Sequence, residues 1–319
     1  MCSCDDLVNN ASVNADAFGS AKKPTSLTDG SLGINGAFYP LSTTLEGSLV
    51  VAGVDGIPTQ GPLTVRGDLS DQGQLDGQFD IQVDGDAQVG ADVRVKRLTL
   101  GGSLQVSAGS TVDITDGNPA FTRATIDIAP PCDCTTGPNI ADLVDDAKSS
   151  NDNAMLELDA AESFRALNAA VELTLPCGRY YASAFYAPNP ITLTITGRVA
   201  LYVAGDFVTE QGGDVRVQLA PGAELDLLIA GNLSTGALVE LGTGATRGRV
   251  RVYAGGQGTL SFAGTTTIAG SLYAPGAELV TSASFEVFGG VLARRVSTSG
   301  ALKLHYDRAL ADGVCTSSP

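Results

Sequence analysis

The sequence predicts an all-β chain: a right-handed parallel β-helix (β-solenoid) with a short helical, cysteine-bracketed insert. Three observations carry this prediction. A Gly-led signature recurs at nearly constant spacing, short strands of alternating polarity run between the signatures, and the composition suits frequent reversal of the chain. Among 319 residues there are 39 Gly and 14 Pro but no Trp, and only 17% are charged. Val, Leu, Ile, Ala and Thr dominate the rest, a palette that fits pleated strands better than helices. Gly accepts positive φ, and Asx side chains bond their own turn backbone, so Gly, Asp and Asn mark the reversals.

Taken in order, residues 1–30 are polar, contain Asn9-Asn10 and Lys22-Lys23-Pro24, and read as a lead-in or cap. Residues 31–130 read as a first set of coils. Gly47-Ser48-Leu49, Gly67-Asp68-Leu69, Gly85-Asp86-Ala87 and Gly102-Ser103-Leu104 place their glycines 20, 18 and 17 residues apart, the length of one solenoid coil. Strands such as Val93-Arg94-Val95 and Leu98-Thr99-Leu100 alternate, so every second residue points inward and stacks on its equivalent in neighbouring coils.

Residues 131–178 break the pattern. Ile140, Leu143, Val144 and Ala147 fall at i, i+3, i+4 and i+7, which predicts an amphipathic helix from Asn139 to about Ser150. A second short helix is expected over 160–169, and the whole insert is expected to separate two solenoid halves. Residues 179–310 then resume the coils, with Gly205-Asp206-Phe207, Gly231-Asn232-Leu233 and Gly270-Ser271-Leu272 repeating the signature. Ala220-Pro221-Gly222-Ala223-Glu224-Leu225 recurs as Ala274-Pro275-Gly276-Ala277-Glu278-Leu279, and both copies read as corners. Residues 311–319 form a tail.

The six cysteines are Cys2, Cys4, Cys132, Cys134, Cys177 and Cys315. An even count favours disulfides, and six cysteines allow 15 pairings. The two Cys-x-Cys pairs are too closely spaced for tetrahedral zinc, which uses gaps of about two to four residues, so no metal is expected. Oxidised cysteines imply an extracytoplasmic compartment, with an export signal removed ahead of this chain. No run approaches the roughly 18 apolar residues of a membrane span. Cys2 is a candidate lipid anchor, with a disulfide partner as the favoured reading. Cys2 and Cys4 are expected to staple one end of the solenoid and Cys315 the other.

The net charge of −16 opposes nucleic acid and anionic lipid as partners. His305 is the lone histidine, which leaves few routes to acid–base catalysis. In Leu304-His305-Tyr306-Asp307 it reads as a terminal-coil hydrogen bond, with Asp307 as a partner for the ring. Asp206, Asp214, Glu224 and Asp226 are candidate carboxylates for sugar cleavage on one solenoid face, weighed against the turn role of Asp and the lack of Trp platforms. Gly242-Thr243-Gly244 with Gly248 imitates a phosphate loop but leads into a strand. Asp84-Gly85-Asp86 lacks the repeat of calcium-loaded β-rolls, and the Thr192, Thr194, Thr196 and Thr265 to Thr267 clusters do not repeat coil by coil. Tyr180, Tyr181, Phe185 and Tyr186 form the densest aromatic cluster, read either as core against the helix or as a patch for a glycan or protein partner.

Pro176-Cys177-Gly178-Arg179-Tyr180-Tyr181, Ala230-Gly231-Asn232-Leu233, Gly270-Ser271-Leu272-Tyr273-Ala274-Pro275 and His305-Tyr306-Asp307 resemble a bacterial solenoid domain of unknown function, found in cell-surface proteins and beside type IV pilus assembly components. Pro131-Cys132-Asp133-Cys134 and Asn151-Asp152-Asn153-Ala154 are similar to stretches of secreted proteins and lipoproteins of myxobacteria. The architecture also resembles bactofilins, which polymerise end to end. These likenesses imply a fold and a surface location but supply no catalytic residues. The expectation is a non-enzymatic, cofactor-free extracellular structural protein at the cell surface or outer membrane. Its partners would be itself, through end-to-end fibres, or pilus and other surface components; the alternatives are an adhesin or glycan-binding module and, behind that, a carbohydrate-active enzyme.

Overall fold

The computed structural model describes residues 1–18, 30–117, 119–135 and 137–307. Hydrogen bonds join the strands into two all-parallel sheets of 19 and 14 strands, wound as a β-solenoid. Three ladders run along the rod. The first carries Gly178–Ala182, Arg198–Val203, Glu224–Ile229 and Val250–Ala254 at one end, and Leu69–Asp71, Ala87–Val89, Leu104–Ser107 and Phe121–Ala124 at the other. The second includes Phe185–Ala187, Leu7–Asn9 and Val112–Asp116, and the third includes Val171–Leu175, Ser12–Phe18 and Ser42–Leu45.

Alternation fills the interior as the sequence predicts. Leu32, Leu49, Leu69, Ala87 and Leu104 stack in register across successive coils, each at most 1% exposed. Burying such a Leu contributes roughly 1.5–3 kcal/mol, and only a neighbouring coil makes that burial possible.

The glycine signature has a structural cause. The amide of Asp86 donates to Asp68 Oδ1 at 2.9 Å, that of Ser103 to Asp86 Oδ1 at 2.7 Å, and that of Asp68 to Ser48 Oγ at 3.0 Å. Each polar side chain thus holds the backbone of the next coil. The preceding glycine makes room for it, because a Cβ on Gly85 would fall 2.2 Å from Asp68 Oδ1. In the first half this device turns the chain from the third ladder to the first. At Gly205 and Gly231 it turns the chain from the first ladder to the second, with Asn232 N donating to Asp206 Oδ1 at 2.8 Å. One local rule thus serves two different corners.

The order of coils departs from the expectation. Cys2 pairs with both Leu292 and Gly33, Leu7 with Val296 and Phe38, and Val13 with Leu302 and Thr43. Residues 1–18 therefore form a coil in the middle of the rod, between the last coil and the second, rather than a lead-in or cap. Most of their polar residues are outward, Ser3 and Asn9 being the buried exceptions, while Leu7, Val13 and Ala15 face the core. The two halves stack directly on each other, so the insert does not separate them.

Instead, the insert runs back along the outside of the rod. After Phe121–Ala124, Ile128 N donates to Gln72 Oε1 at 2.7 Å. Cys132 and Cys134 then bond to Cys2 and Cys4, and Asn35 brackets Cys132 with bonds of 2.9 and 3.0 Å. These disulfides pin the strap to the rod's middle, not to an end. Next comes helix α1 (Ile140–Ser149), capped by Asn139, whose Oδ1 accepts from Ala141 N at 3.1 Å. Ile140, Val144 and Ala147 are buried against Tyr181, Leu228, Tyr202 and Tyr253, as their spacing predicts, whereas Leu143, expected on the same face, is exposed at its edge. No helix forms over 160–169, which is a series of turns. There Phe164 and Ala166 insert into the main core and plug the end of the rod. Pro221-Gly222 is a turn, with Gly222 at φ 83°, whereas Pro275-Gly276 lies inside the strand Gly270–Thr281 at a register shift.

Candidate functional site

Among the described residues, a concavity lies where the strap crosses the outer face of the first ladder. Outward residues of successive coils align there: Tyr181, Tyr202, Leu228, Tyr253 and Tyr273 in one row, and Ala200, Asp226, Arg251 and Ser271 in the next. Helix α1 covers the first row and leaves the second at its flank. A cavity of about 320 Å³ opens between Ile140 and Leu143 of α1 and Arg198, Asp226 and Arg251 of the sheet. Beside it, about 200 Å³ opens at Cys177, Arg179 and Arg198. A third space of about 310 Å³ lies on the other side of Ile140, toward Gln257 and Tyr273.

The polar groups in this groove mostly satisfy one another. Arg251 pairs with Asp226, and its Nη2 also reaches Glu224 at 2.8 Å. The hydrogen bonds that Arg251 donates to Asp226 hold the guanidinium above its usual pKa, against the opposing effect of burial. Burial followed by the Asp226 charge raises the Tyr253 phenol. Arg179 lies over the Tyr202 ring at 5.3 Å. Neither Arg198 nor Arg179 forms an ion pair among the described residues.

The predicted site residues are placed as follows. Tyr180, Tyr181 and Phe185 are buried, Phe185 stacked on Phe207 at 4.1 Å, and Tyr186 is partly exposed with its hydroxyl on Glu210. The patch reading of that cluster is therefore corrected: three of the four rings pack inward or beneath α1. Glu224 and Asp226 come together on Arg251, whereas Asp206 holds a corner and Asp214 pairs with Arg216 at 3.1 Å, so the four carboxylates do not converge. His305 bridges coils, with Nδ1 2.7 Å from Asp16 and Nε2 3.0 Å from Glu286, while its ring stacks on Phe288. Among the described residues its partners are Asp16 and Glu286, and the side chain of Asp307, the expected partner, lies outside them. Asp84 pairs with Arg66 and Asp86 holds Ser103, and Thr243 caps a three-residue turn of 3₁₀ helix. Thr192 lies between Glu172 and Arg216, so no flat threonine array forms.

Cys2 is bonded to Cys132, which occupies the sulfur a lipid anchor would need. Cys177 is exposed, and Cys315 lies outside the described residues. Among the described residues no cluster of His, Cys, Asp or Glu is arranged to hold a metal. Sequence reasoning missed the tyrosine row and the strap anchors Asn35 and Asn153. The row was detectable in principle, because Tyr181, Tyr202, Tyr253 and Tyr273 recur at one or two coil lengths.

Fold and site together define a β-solenoid whose own insert is strapped along its outer face by disulfides. The two bridges place the chain in an oxidising setting, extracellular or periplasmic. Residues 122–313 match the Domain of unknown function (DUF7305), and the chain belongs to that family. The match begins at the last strand before the insert and covers the insert and the second half. No curated protein and no solved structure matches the chain. Among the described residues no helix is long and apolar enough to cross a membrane.

Proposed function

We propose that the protein is a structural rod of the bacterial cell surface, displayed outside the cytoplasm and without catalytic activity. The observation that carries this reading is the investment in rigidity. A continuous parallel ladder of about 13 strands is clamped along its length by a covalently anchored strap, while the outward charged groups pair with one another across coils. At about 4.8 Å per coil the rod is roughly 60 Å long. Its resemblance to surface and pilus-associated solenoids supports placement beside such components. Fibre growth by stacking would need both ends open. At one end the strap donates to the first-ladder edge, with Asp152 N on Arg179 O, and to the second, with Ala166 N on Tyr186 O, so the reading retained is a discrete rod. The adhesin reading loses its aromatic patch to burial and is not carried further.

Two experiments test the proposal. Protease or antibody access on intact cells should reach the protein, and negative-stain electron microscopy with light scattering should show uniform short rods. A protein confined to the cytoplasm, or turnover of a polysaccharide by the purified chain, would overturn it.

A further inference from the structure

We propose that the groove beside α1 is a binding site for a small carboxylate with an apolar body, its charge held by Arg179 and Arg198. The argument starts from an imbalance of charge. In register, Arg198 stands beside Glu224 of the next coil, and Arg179 stands beside Ala200, with Asp226 one coil further on. Both carboxylates are engaged from the far side by Arg251, Glu224 at 2.8 Å and Asp226 through two bonds. Arg251 thus takes both counter-charges, and Arg179 and Arg198 have no ion-pair partner among the described residues. Asp152 approaches Arg179 at the backbone, where its Oδ2 accepts from the amide at 2.8 Å, while the guanidinium lies over the Tyr202 ring and reaches Ser150 Oγ at 3.5 Å. In a chain with 35 acidic and 19 basic residues, two neighbouring arginines without a carboxylate mark a place where the counter-charge comes from outside.

The space to receive a ligand is present. The cavities of about 320 Å³ and about 200 Å³ share Arg198, Ala200 and Asp226, so the small side chain of Ala200 floors a single groove with both arginines on its wall. Small-molecule sites typically enclose about 300–1,000 Å³, and this groove falls in that range. A guanidinium presents a planar fork that meets a carboxylate through two parallel hydrogen bonds. The rest of the larger space is mainly apolar, lined by Leu143, Tyr202, Leu228 and Tyr253. Leu143 is 39% exposed, and an apolar ligand body lying over it removes that surface from water. Net charge limits the ligand's size. At −16 the surface as a whole repels a polyanion, whereas screening over about 8 Å at physiological salt leaves a single charge inside the groove to the two arginines. The inference goes beyond the surface-rod reading and does not rest on it.

The test titrates the full chain with two monocarboxylate probes, 4-phenylbutyrate and an N-acetylated tripeptide ending in Phe, each beside its neutral amide, with ligand-detected NMR as the readout. At least one acid should bind about tenfold or more tightly than its amide, and its affinity should fall as salt is raised. Binding of 4-phenylbutyrate alone assigns the site to a free acid, and binding of the tripeptide assigns it to a peptide chain end. Arg179→Gln and Arg198→Gln should each weaken the bound acid about tenfold and leave the amide unchanged. Arg294→Gln, which removes an exposed charge from the strand Val291–Thr298, should alter neither, and circular dichroism checks the fold of each variant. Equal binding of acid and amide, no binding of either acid, or an equal loss in Arg294→Gln would overturn the proposal. The comparison of acid with amide is made on the parent chain, so it decides the matter even where a substitution impairs folding.

Discussion

Asp71 takes an inward position between Val51 and Val89, fully buried, with Oδ1 accepting from Gly73 N at 3.0 Å and Oδ2 without a hydrogen-bond partner. Desolvation raises its pKa to about 8, with the Gly73 bond opposing. The native state therefore holds a proton that the unfolded chain releases near pH 4, and stability falls as pH rises between about 4 and 8. Asp71→Asn keeps the acceptor for Gly73 and should flatten that slope, leaving the variant more stable than the parent above pH 8. Thermal unfolding at pH 5 and pH 9 checks this, and an unchanged slope would remove Asp71 as its source. At the corners, Gly85→Ala should destabilise the rod by roughly 1–3 kcal/mol, since its Cβ displaces the Asp68 carboxylate. Combined with Asp68→Ala, the two losses should add to less than their sum, as a double-mutant cycle in urea would show.

The strap is the element whose placement sequence patterns could not supply. Its helix was legible, because the spacing of Ile140, Val144 and Ala147 states which face is buried. What that face is buried against depends on three tyrosines and Leu228, contributed by four coils. Similarly, the Gly-led repeat revealed the coils, but no local signal says that Leu7 stacks on Val296, a pairing between opposite ends of the sequence. The aromatic cluster misled for a related reason: adjacent residues on a strand face opposite sides, so Tyr180 and Tyr181 are neighbours in sequence but not in surroundings. Two tests address the strap. Asn153 is buried and exchanges bonds of 2.8 and 2.9 Å with the Tyr181 backbone, so Asn153→Ala should cost about 1–3 kcal/mol. Replacing Cys132 and Cys134 by Ser should lower stability by about 2–4 kcal/mol per bridge under oxidising conditions and speed hydrogen exchange in α1. Exchange unaltered in α1 would mean that the helix holds its place without the bridges.

For the whole molecule, the junction between the first and last coils is decisive. Removing residues 1–18 would leave the edges of Val291–Thr298 and Leu32–Ile34 unpaired in the middle of the rod, so the truncated chain should aggregate on expression, as size-exclusion chromatography would report. His305→Gln, which loses one of the two carboxylate contacts of His305, of which that to Asp16 spans the same junction, should stay folded with a modestly lower melting temperature.

That junction also dictates a timetable. A chain crossing a membrane from its N-terminus delivers the central coil first, yet the coil that must stack on its other side arrives last. The Cys2–Cys132 bridge can close when less than half the chain has emerged, holding one nascent half in register while the opposite flank of residues 1–18 waits. Such long-range closure makes folding slow, and it leaves an exposed strand edge throughout export. The period of greatest vulnerability therefore ends only with delivery of the final strand, and a chaperone outside the cytoplasm would have its natural target in that waiting edge.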